Sequence, residues 1–204
     1  MTLLAALSLL ESMDTPVFAT SDAGVRLGVP NGHASVVLAR LATAGRLTRL
    51  RRGVWAIPGR IDLLALPGFL TSPFPAYVSL QSALYLHGMI SQMPATTYAV
   101  SLARTRRFTT PLGSVSVHHV MPAFFFGFDE VGRRSGRLAT PEKALIDFLY
   151  FTPARSRLFR SLPELELPKH FSLRTARSII RRIKSVRRRT LVERGLDALF
   201  ARTG

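Results

Sequence analysis

Apolar positions in the first 60 residues recur every three or four residues, the spacing of helices with one buried face. The first stripe consists of Leu3, Leu4, Leu7 and Leu10. A short second helix is predicted to end at Leu27, with Thr20 or Ser21 as its N-cap. A third helix is predicted over residues 31–44, and Gly45 ends it. Its buried face consists of Ala34, Val37, Leu38 and Leu41.

The connections between these elements are rich in glycine and arginine. Gly28 begins a break between the second and third helices, and Gly24, four residues earlier, allows the two helices to approach closely. After the third helix, apolar runs at 47–50 and 54–57 flank Arg51, Arg52 and Gly53, which is typical of a β-hairpin. Helix, helix, glycine turn, longer helix and basic hairpin form the order of a winged helix-turn-helix.

Prolines and glycines then punctuate residues 58–75, as is typical of a domain boundary. The pattern divides the chain into a winged helix-turn-helix domain (1–60), a linker (61–75) and a C-terminal domain (76–204). Within the linker, the apolar residues 61–66 are expected to form a short helix.

The C-terminal domain mixes helical and strand patterns. Strands are predicted at 98–102, 115–120 and 124–128. Helices are predicted from Ser79 to Leu86, from Thr140 to Phe151, from Ser172 to about Arg188, and from a capping box of Thr190 and Glu193 to Phe200. The predicted fold class is α+β: an N-terminal winged helix-turn-helix followed by a mixed α/β domain with a small sheet and C-terminal helices.

Charge changes this picture: the chain contains 28 Lys and Arg but only 12 Asp and Glu, which gives a net charge of +16. Such an imbalance points to a polyanionic partner, of which nucleic acid is the commonest. Half of the basic residues lie in residues 155–204. Nearly all are Arg, which suits bidentate contacts to phosphate and guanine. A GC-rich genome would give the same bias.

Candidate DNA contacts follow from the winged helix-turn-helix pattern. The N-terminal half of the third helix should enter the major groove. The polar residues expected to reach the bases there are Asn31, His33, Ser35 and, further along, Arg40. The hairpin arginines expected to contact phosphates are Arg49, Arg51 and Arg52. The alternative is that the domain is a scaffold for protein contacts.

A second basic surface is predicted on the helix that starts at Ser172. Its stripe consists of Arg174, Arg177, Arg181, Lys184 and Arg188, opposite an apolar face of Leu173, Ala176, Ile180, Ile183 and Val186. A solvated face and a nucleic-acid surface are about equally favoured. A membrane-surface helix is disfavoured, because the apolar face lacks Trp and Phe.

The remaining polar and aromatic signals have simpler interpretations. Arg104, Arg106 and Arg107 are expected in an exposed loop, and Phe124, Phe126 and Phe128 in the core. Asp147 follows Lys143 by four residues, which predicts a helix-surface ion pair.

Catalysis and cofactor binding find no support in the sequence. His118 and His119 are adjacent on a predicted strand and point to opposite faces, so they do not chelate a metal together. The chain has no cysteine, no glycine-rich phosphate loop and no nucleophile elbow. No apolar run approaches the length of a membrane span. We therefore expect a cytoplasmic non-enzyme with no cofactor, no metal and no membrane partner.

Several runs also resemble a known family. Residues 38–55 (LARLATAGRLTRLRRGVW), 77–87 (YVSLQSALYLH), 98–101 (YAVS) and 139–150 (ATPEKALIDFLY) resemble AbiEi-type antitoxins, described as predicted transcriptional regulators of viral defence. Trp55 stands where these proteins more often carry Tyr. The resemblance extends over nearly the whole chain, and its residues look fold-determining, not catalytic.

The resemblance implies an autorepressor that is also the antitoxin of a type IV, AbiE-like phage-defence system. Its winged helix would bind inverted repeats in its own promoter, as double-stranded DNA. Its C-terminal domain would counter a nucleotidyltransferase-like toxin without a stable complex. The chain is short for the family. Two alternatives stay open: a winged-helix regulator whose C-terminal domain senses a ligand or dimerises, and an RNA-binding protein that uses the basic C-terminal helix.

Overall fold

The computed structural model describes residues 1–132, 136–152 and 165–201. The N-terminal part contains six elements in the order expected of a winged helix. They are α1 (Leu3–Glu11), β1 (Val17–Ala19), α2 (Thr20–Leu27), α3 (Asn31–Thr43), β2 (Thr48–Arg51) and β3 (Val54–Ala56). The three strands pair antiparallel in the order β1-β3-β2. The predicted helices and hairpin are confirmed, whereas the sequence pattern missed β1.

The apolar face of α3 is confirmed in full, because Ala34, Val37, Leu38 and Leu41 are all buried. The stripe predicted for α1 is only half correct. Ala6, Leu7 and Leu10 are buried against α2 and α3, but Leu3 and Leu4 are exposed. Both leucines lie in the first turn of α1, outside the apolar cluster that the three helices share.

The N-cap predicted for α2 is wrong by one position. Ala19 is the N-cap residue, and its backbone N–H donates to Asp22 Oδ2 at 2.8 Å. Thr20 lies inside the helix, where its hydroxyl accepts a hydrogen bond from Trp55 Nε1 at 2.9 Å. The carboxylate in the first turn therefore replaces the hydroxyl cap that the sequence suggested.

The C-terminal part is built on a larger sheet than the sequence predicted. Its helices and strands begin with α4 (Leu66–Thr71), β4 (Ala76–Val78), α5 (Leu80–Leu86), β5 (Thr96–Ser101), β6 (Arg106–Thr110) and β7 (Gly113–His119). They continue with β8 (Phe128–Val131), β9 (Gly136–Ala139), α6 (Pro141–Phe151), α7 (Leu173–Arg181) and α8 (Val186–Ala201). In the described residues the sheet has six strands in the order β6-β7-β5-β4-β9-β8. Parallel pairs (β5–β7, β4–β9) mix with antiparallel ones.

The two faces of this sheet have different covers. Tyr98 and Val100 of β5 belong to the main apolar core, together with residues of α5, α6, α7 and α8. Ala99, between them, belongs with Val115 and Val117 to a cluster that also contains Leu50 of the hairpin. The other members of this cluster are Val17, Val54, Ala56, Leu66 and Leu70. The small sheet of the winged helix and α4 therefore pack on the second face of the large sheet. A division at 61–75 into separate folding units stays a prediction.

The short helix expected at 61–66 lies further along the chain. Residues 63–65 form a turn, and α4 begins at Leu66. Pro67 lies in its first turn, where the fixed φ of proline favours a helix start.

Residues 124–128 do not form the predicted strand. Residues Pro122–Phe124 form a single 3₁₀ turn, and Gly127 adopts a φ of +77° just before β8 begins at Phe128. A proline and a glycine with positive φ break the extended backbone that the aromatic alternation suggested. The expected core role is confirmed for Phe124, which is buried, while Phe126 and Phe128 pack against the core.

Arg106 and Arg107 do not lie in the predicted loop: they are exposed on β6, an edge strand of the sheet. Arg104 lies just outside the strand. Two adjacent exposed arginines at the start of an edge strand lack the apolar alternation of a half-buried strand, so the pattern missed it.

The helix predicted from Ser172 to Arg188 is interrupted. α7 ends at Arg181, and α8 begins at Val186 and includes Thr190, whose hydroxyl donates to Val186 O instead of capping a helix. Because of the break, α7 and α8 both pack on α6, so that Ile180 of α7 and Leu196 of α8 are buried in the same core. Of the predicted apolar face, Leu173 and Val186 are exposed.

The pair formed by Lys143 and Asp147 is not on the surface, because both side chains are fully buried. Lys143 Nζ lies 2.6 Å from Asp147 Oδ1 and also donates to Phe124 O. The other carboxylate oxygen accepts from Tyr77 and from Ser79, which does not cap α5 with its side chain. Burial lowers the pKa of Lys143 and raises that of Tyr77. These four side chains therefore form a polar cluster inside the core.

Candidate nucleic-acid interface

The turn between α2 and α3 brings the two helices into close contact. Gly28 ends α2 in the left-handed conformation, with a φ of +66°. The N–H of Val29 then donates to Gly24 O at 3.0 Å. A Cβ at Gly24 would lie 2.9 Å from Asn31 Oδ1 and 3.1 Å from Val29 O. The predicted need for glycine at Gly24 and Gly28 is therefore confirmed by the geometry.

The face of α3 opposite its apolar stripe is exposed. The four residues predicted to contact bases are all exposed: Asn31, His33, Ser35 and Arg40. His33 and Arg40 lie on this face, whereas Asn31 lies on the side of the helix that carries Leu38, with its Oδ1 toward Gly24 of α2. Pro30 precedes the helix without a side-chain cap, and the first turn contains no acidic residue. The positive end of the helix dipole is thus not offset by a carboxylate on α3, which favours an approaching phosphate.

The β2–β3 hairpin, which follows α3 in the chain, presents three arginines. Arg49, Arg51 and Arg52 are all exposed, and Gly53 turns the chain with a φ of +74°. A bulge between Arg49 and Arg51 shifts the strand register. Below the arginines, Val54, Trp55 and Ala56 of β3 are all buried, because the small sheet is covered on both faces. The arginines therefore project from a rigid base.

Trp55 ties the hairpin to the helices. Its ring is buried, its Nε1 donates to Thr20 of α2, and the Arg49 guanidinium lies 5.5 Å above the ring. Arg49 and Trp55 are direct cross-strand partners in the β2–β3 ladder. Arg49 is thus held by a cation–π contact, whereas Arg51 and Arg52 make none that the described structure shows.

The sequence analysis did not single out Val36 on the exposed face of α3, and it gave no role to Arg26 on α2. Val36 is 50% exposed and lies at helical spacing between His33 and Arg40. Val36 could have been recognised in the sequence as an apolar residue that lies outside the buried stripe of α3. On the helix before the turn, Arg26 donates to Leu9 O and to Ser12 Oγ, so its guanidinium caps α1.

The second basic surface is not one stripe, because α7 carries Arg174, Arg177 and Arg181, Lys184 lies in the turn, and Arg188 lies on α8. Arg177 lies 3.5 Å from Asp197 of α8 in an exposed ion pair. Arg188 is half-buried and donates to Tyr150 O. The structure thus divides these residues between two helices and one turn.

Two further properties bear on the chemistry of the chain. His118 is buried on β7, and burial lowers its pKa to about 4. Across residues 1–132, 136–152 and 165–201, no group of three or more His, Asp or Glu side chains is arranged to hold a metal ion. In the same residues, no helix combines the length and apolar character that crossing a bilayer requires.

The comparison with protein families identifies the segment that forms this interface. Residues 6–58, from α1 to just beyond β3, match the family model described as transcriptional regulator, AbiEi antitoxin. No curated protein matches the chain. The resemblance to AbiEi antitoxins is thereby confirmed over residues 6–58, which form the winged helix.

Proposed function

We propose that the chain is a DNA-binding autorepressor, and that α3 and the β2–β3 hairpin bind an inverted repeat in its own promoter. The observation that carries the proposal is the set of exposed polar side chains on α3, which are Asn31, His33, Ser35 and Arg40, together with the three exposed arginines of the hairpin that follows it. Asn pairs well with adenine and Arg with guanine in the major groove. Val36 adds an apolar group that suits the methyl group of thymine.

The hairpin serves a different purpose in this proposal. Arg49, Arg51 and Arg52 contact phosphates and fix the orientation of the domain on the duplex without reading the sequence. Two copies of the chain occupy the two half-sites, because the symmetry of an inverted repeat mirrors that of a protein pair. Such a regulator acts where the bacterial DNA is, in the cytoplasm.

The C-terminal domain supplies the antitoxin activity in this proposal. The family of the N-terminal part supports a role in a toxin–antitoxin system. We assign the type IV mechanism, a nucleotidyltransferase-like toxin and the absence of a stable complex to the protein on the resemblance of residues 77–150. The protein itself carries out no catalysis.

The test compares two variants on two duplexes. His33→Ala with Arg40→Ala removes predicted base contacts, and Arg51→Ala with Arg52→Ala removes predicted phosphate contacts. The α3 variant should no longer prefer the inverted repeat over random duplex, because each good base contact supplies about 1–3 kcal/mol of discrimination. The hairpin variant should weaken binding to both duplexes and flatten the salt dependence, since each phosphate that an arginine neutralises contributes about 0.9 to the slope.

Arg104→Gln with Arg106→Gln is the matched control. It removes two exposed arginines at β6, outside the winged helix, and should leave the preference for the inverted repeat unchanged. Equal losses of affinity in all three variants would reduce the effect to net charge and contradict the proposed interface. Wild-type binding that does not distinguish the two duplexes would contradict the proposed function.

A further inference from the structure

A mostly apolar cleft opens beside the turn between α7 and α8. Its volume is about 430 Å³, and its apolar lining consists of Met121, Pro122, Ala123, Phe124, Tyr150 and Ile183. Arg182, Lys184 and Ser185 complete the lining on the side of the turn. The size falls within the range of small-molecule sites, and an apolar lining with a few polar groups is typical of them.

A second depression adjoins this cleft at the start of α8. It has a volume of about 320 Å³ and is lined by Ser185, Arg187, Arg188 and Leu191. Ser185 lines both depressions, so the two adjoin at this residue, and together they are called the path here. Cations line both depressions: Arg182 and Lys184 line the first, and Arg187 and Arg188 line the second.

Two of the arginines on this path are held in place by aromatic rings. The Arg182 guanidinium lies 3.4 Å from the centre of the Phe126 ring. The Arg188 guanidinium lies 4.7 Å from the centre of the Tyr150 ring and donates to Tyr150 O at 3.1 Å. Arginines fixed in this way lose less side-chain freedom when they bind a ligand.

The positive charge of the path is not neutralised by neighbouring acids. Among the described residues, the one ion pair that involves α7 or α8 joins Arg177 to Asp197, on α7 and α8 away from the path. Arg182, Lys184 and Arg187 have no carboxylate within 4 Å in that part of the chain. Unneutralised like charges repel each other, and a polyanion removes that cost.

We propose that this path binds single-stranded nucleic acid, with one unstacked base in the cleft and phosphates on Lys184 and Arg187. A cleft with an apolar and aromatic lining beside a row of cations matches the way proteins bind single strands, by burying bases and tracking the backbone. A regular duplex keeps its bases stacked inside and offers nothing to fill the cleft. The path is separate from the promoter-binding face of α3 and goes beyond the function proposed above.

The test uses the full chain and a short labelled strand, as RNA and as DNA, together with the corresponding duplex. Ala123→Leu places a larger apolar group at the cleft without changing the charge, and Ala123 is exposed, so the fold should tolerate it. We expect it to weaken binding of the single strand about tenfold, the effect of excluding one buried base. Fluorescence anisotropy measures the affinity.

Lys184→Gln with Arg187→Gln tests the phosphate contacts. We expect the slope of log affinity against log salt to fall by about 1.4 for the single strand, since each phosphate contact contributes about 0.7. Arg104→Gln with Arg106→Gln removes the same charge from the region of β6 and should change neither affinity nor slope. Comparison of the RNA and DNA strands shows whether the 2′-hydroxyl contributes.

Three outcomes would overturn the proposal. If both variants bind the single strand as well as the wild type does, the path is a solvent-exposed surface that does not bind nucleic acid. Losses of affinity that the control variant reproduces assign the binding to net charge alone. Equal competition by polyglutamate and by the single strand assigns the surface to acidic proteins. The inverted-repeat duplex is measured on the same proteins: absence of specific binding to it in the wild type contradicts the promoter proposal and leaves this one standing.

Discussion

The winged helix and the C-terminal domain handle their charged residues in opposite ways. The winged helix keeps its arginines on the surface, above a core of apolar side chains and one tryptophan. The C-terminal domain buries Lys143 and Asp147 in its centre. The charged side chains of the winged helix are therefore available to a ligand. The buried pair of the C-terminal domain instead affects the stability of the fold. A count of basic residues does not separate these two uses.

The largest effect is expected from breaking the buried pair. Asp147→Ala leaves the Lys143 ammonium without its carboxylate, and Tyr77 and Ser79 lose their acceptor. Removing one partner of a buried pair typically costs about 3–5 kcal/mol. The free energy of unfolding, measured by denaturant titration, should fall by that amount.

Two matched variants sharpen this comparison. Asp147→Asn keeps an oxygen that accepts from Tyr77 and Ser79, so it should cost less than Asp147→Ala. Glu130→Ala breaks the exposed pair with Arg137 and should cost less than about 1 kcal/mol. A similar decrease in the free energy of unfolding for Asp147→Ala and Glu130→Ala would show that the buried pair has no special role.

The second prediction concerns pH and His118. Burial lowers the pKa of His118 to about 4 in the folded chain, below the ordinary value of 6.5 that applies when the chain is unfolded. As the pH falls below about 6.5, the unfolded chain takes up the proton first, so the folded state loses stability until about pH 4. Between pH 7.5 and pH 5 this contributes a loss of about 2 kcal/mol.

His118→Gln removes this titration. The stability of the variant should therefore fall less than that of the wild type over the same pH range, by thermal or denaturant unfolding at matched ionic strength. Identical pH profiles for the two proteins would contradict the buried, neutral histidine. His119→Gln, on the exposed neighbour, is the control for the substitution itself.

The third prediction concerns the glycines of the helix-turn-helix. Gly24→Ala places a methyl group 2.9 Å from Asn31 Oδ1 and 3.1 Å from the Val29 carbonyl oxygen, which is backbone. Overpacking of this kind costs about 1–3 kcal/mol. Gly32→Ala on α3 meets nothing within 4 Å and should stabilise the helix by up to about 1 kcal/mol. Equal effects on the melting temperature at both positions would contradict the close approach of α2 and α3.

What the sequence could predict depends on the length of each element. Ala34, Val37, Leu38 and Leu41 recur at helical spacing over one long helix, so periodicity was enough to place the buried face of α3. The strands of three to five residues, such as β1 and β9, are too short to show alternation. Their pairing depends on contacts between distant parts of the chain, which periodicity does not report.

The buried position of Lys143 and Asp147 was missed for a different reason. A spacing of four residues on a helix is the same for a surface pair and a buried one. The signal was in the residues around the pair: Ala144, Leu145, Ile146, Phe148 and Leu149 surround it with apolar side chains. A helix that is apolar all round is buried, so its charged residues must find partners inside the core.

The smallest effect on stability, and the sharpest separation of activities, is expected from the hairpin. Arg51→Ala with Arg52→Ala changes two exposed side chains and should alter the free energy of unfolding by less than about 0.5 kcal/mol. Promoter repression should fall, while rescue of cells from the partner toxin, which we assign to residues 76–204, should persist. A repression reporter and a toxin-rescue assay on the same variant measure the two activities.

Either of two results would break this separation. Equal loss of both activities in a folded protein would mean that the hairpin serves the whole molecule, through the apolar cluster that it shares with the large sheet. Loss of neither would make the winged helix a scaffold for protein contacts.

The central claim is that the winged helix reads an inverted repeat upstream of its own gene, and footprinting of that region tests it most directly. The account predicts two protected half-sites whose centres are separated by a whole number of helical turns, about 10–10.5 base pairs each. The protection should disappear when the repeat is scrambled. Absence of protection, together with equal affinity for the promoter and for random duplex, would contradict the claim.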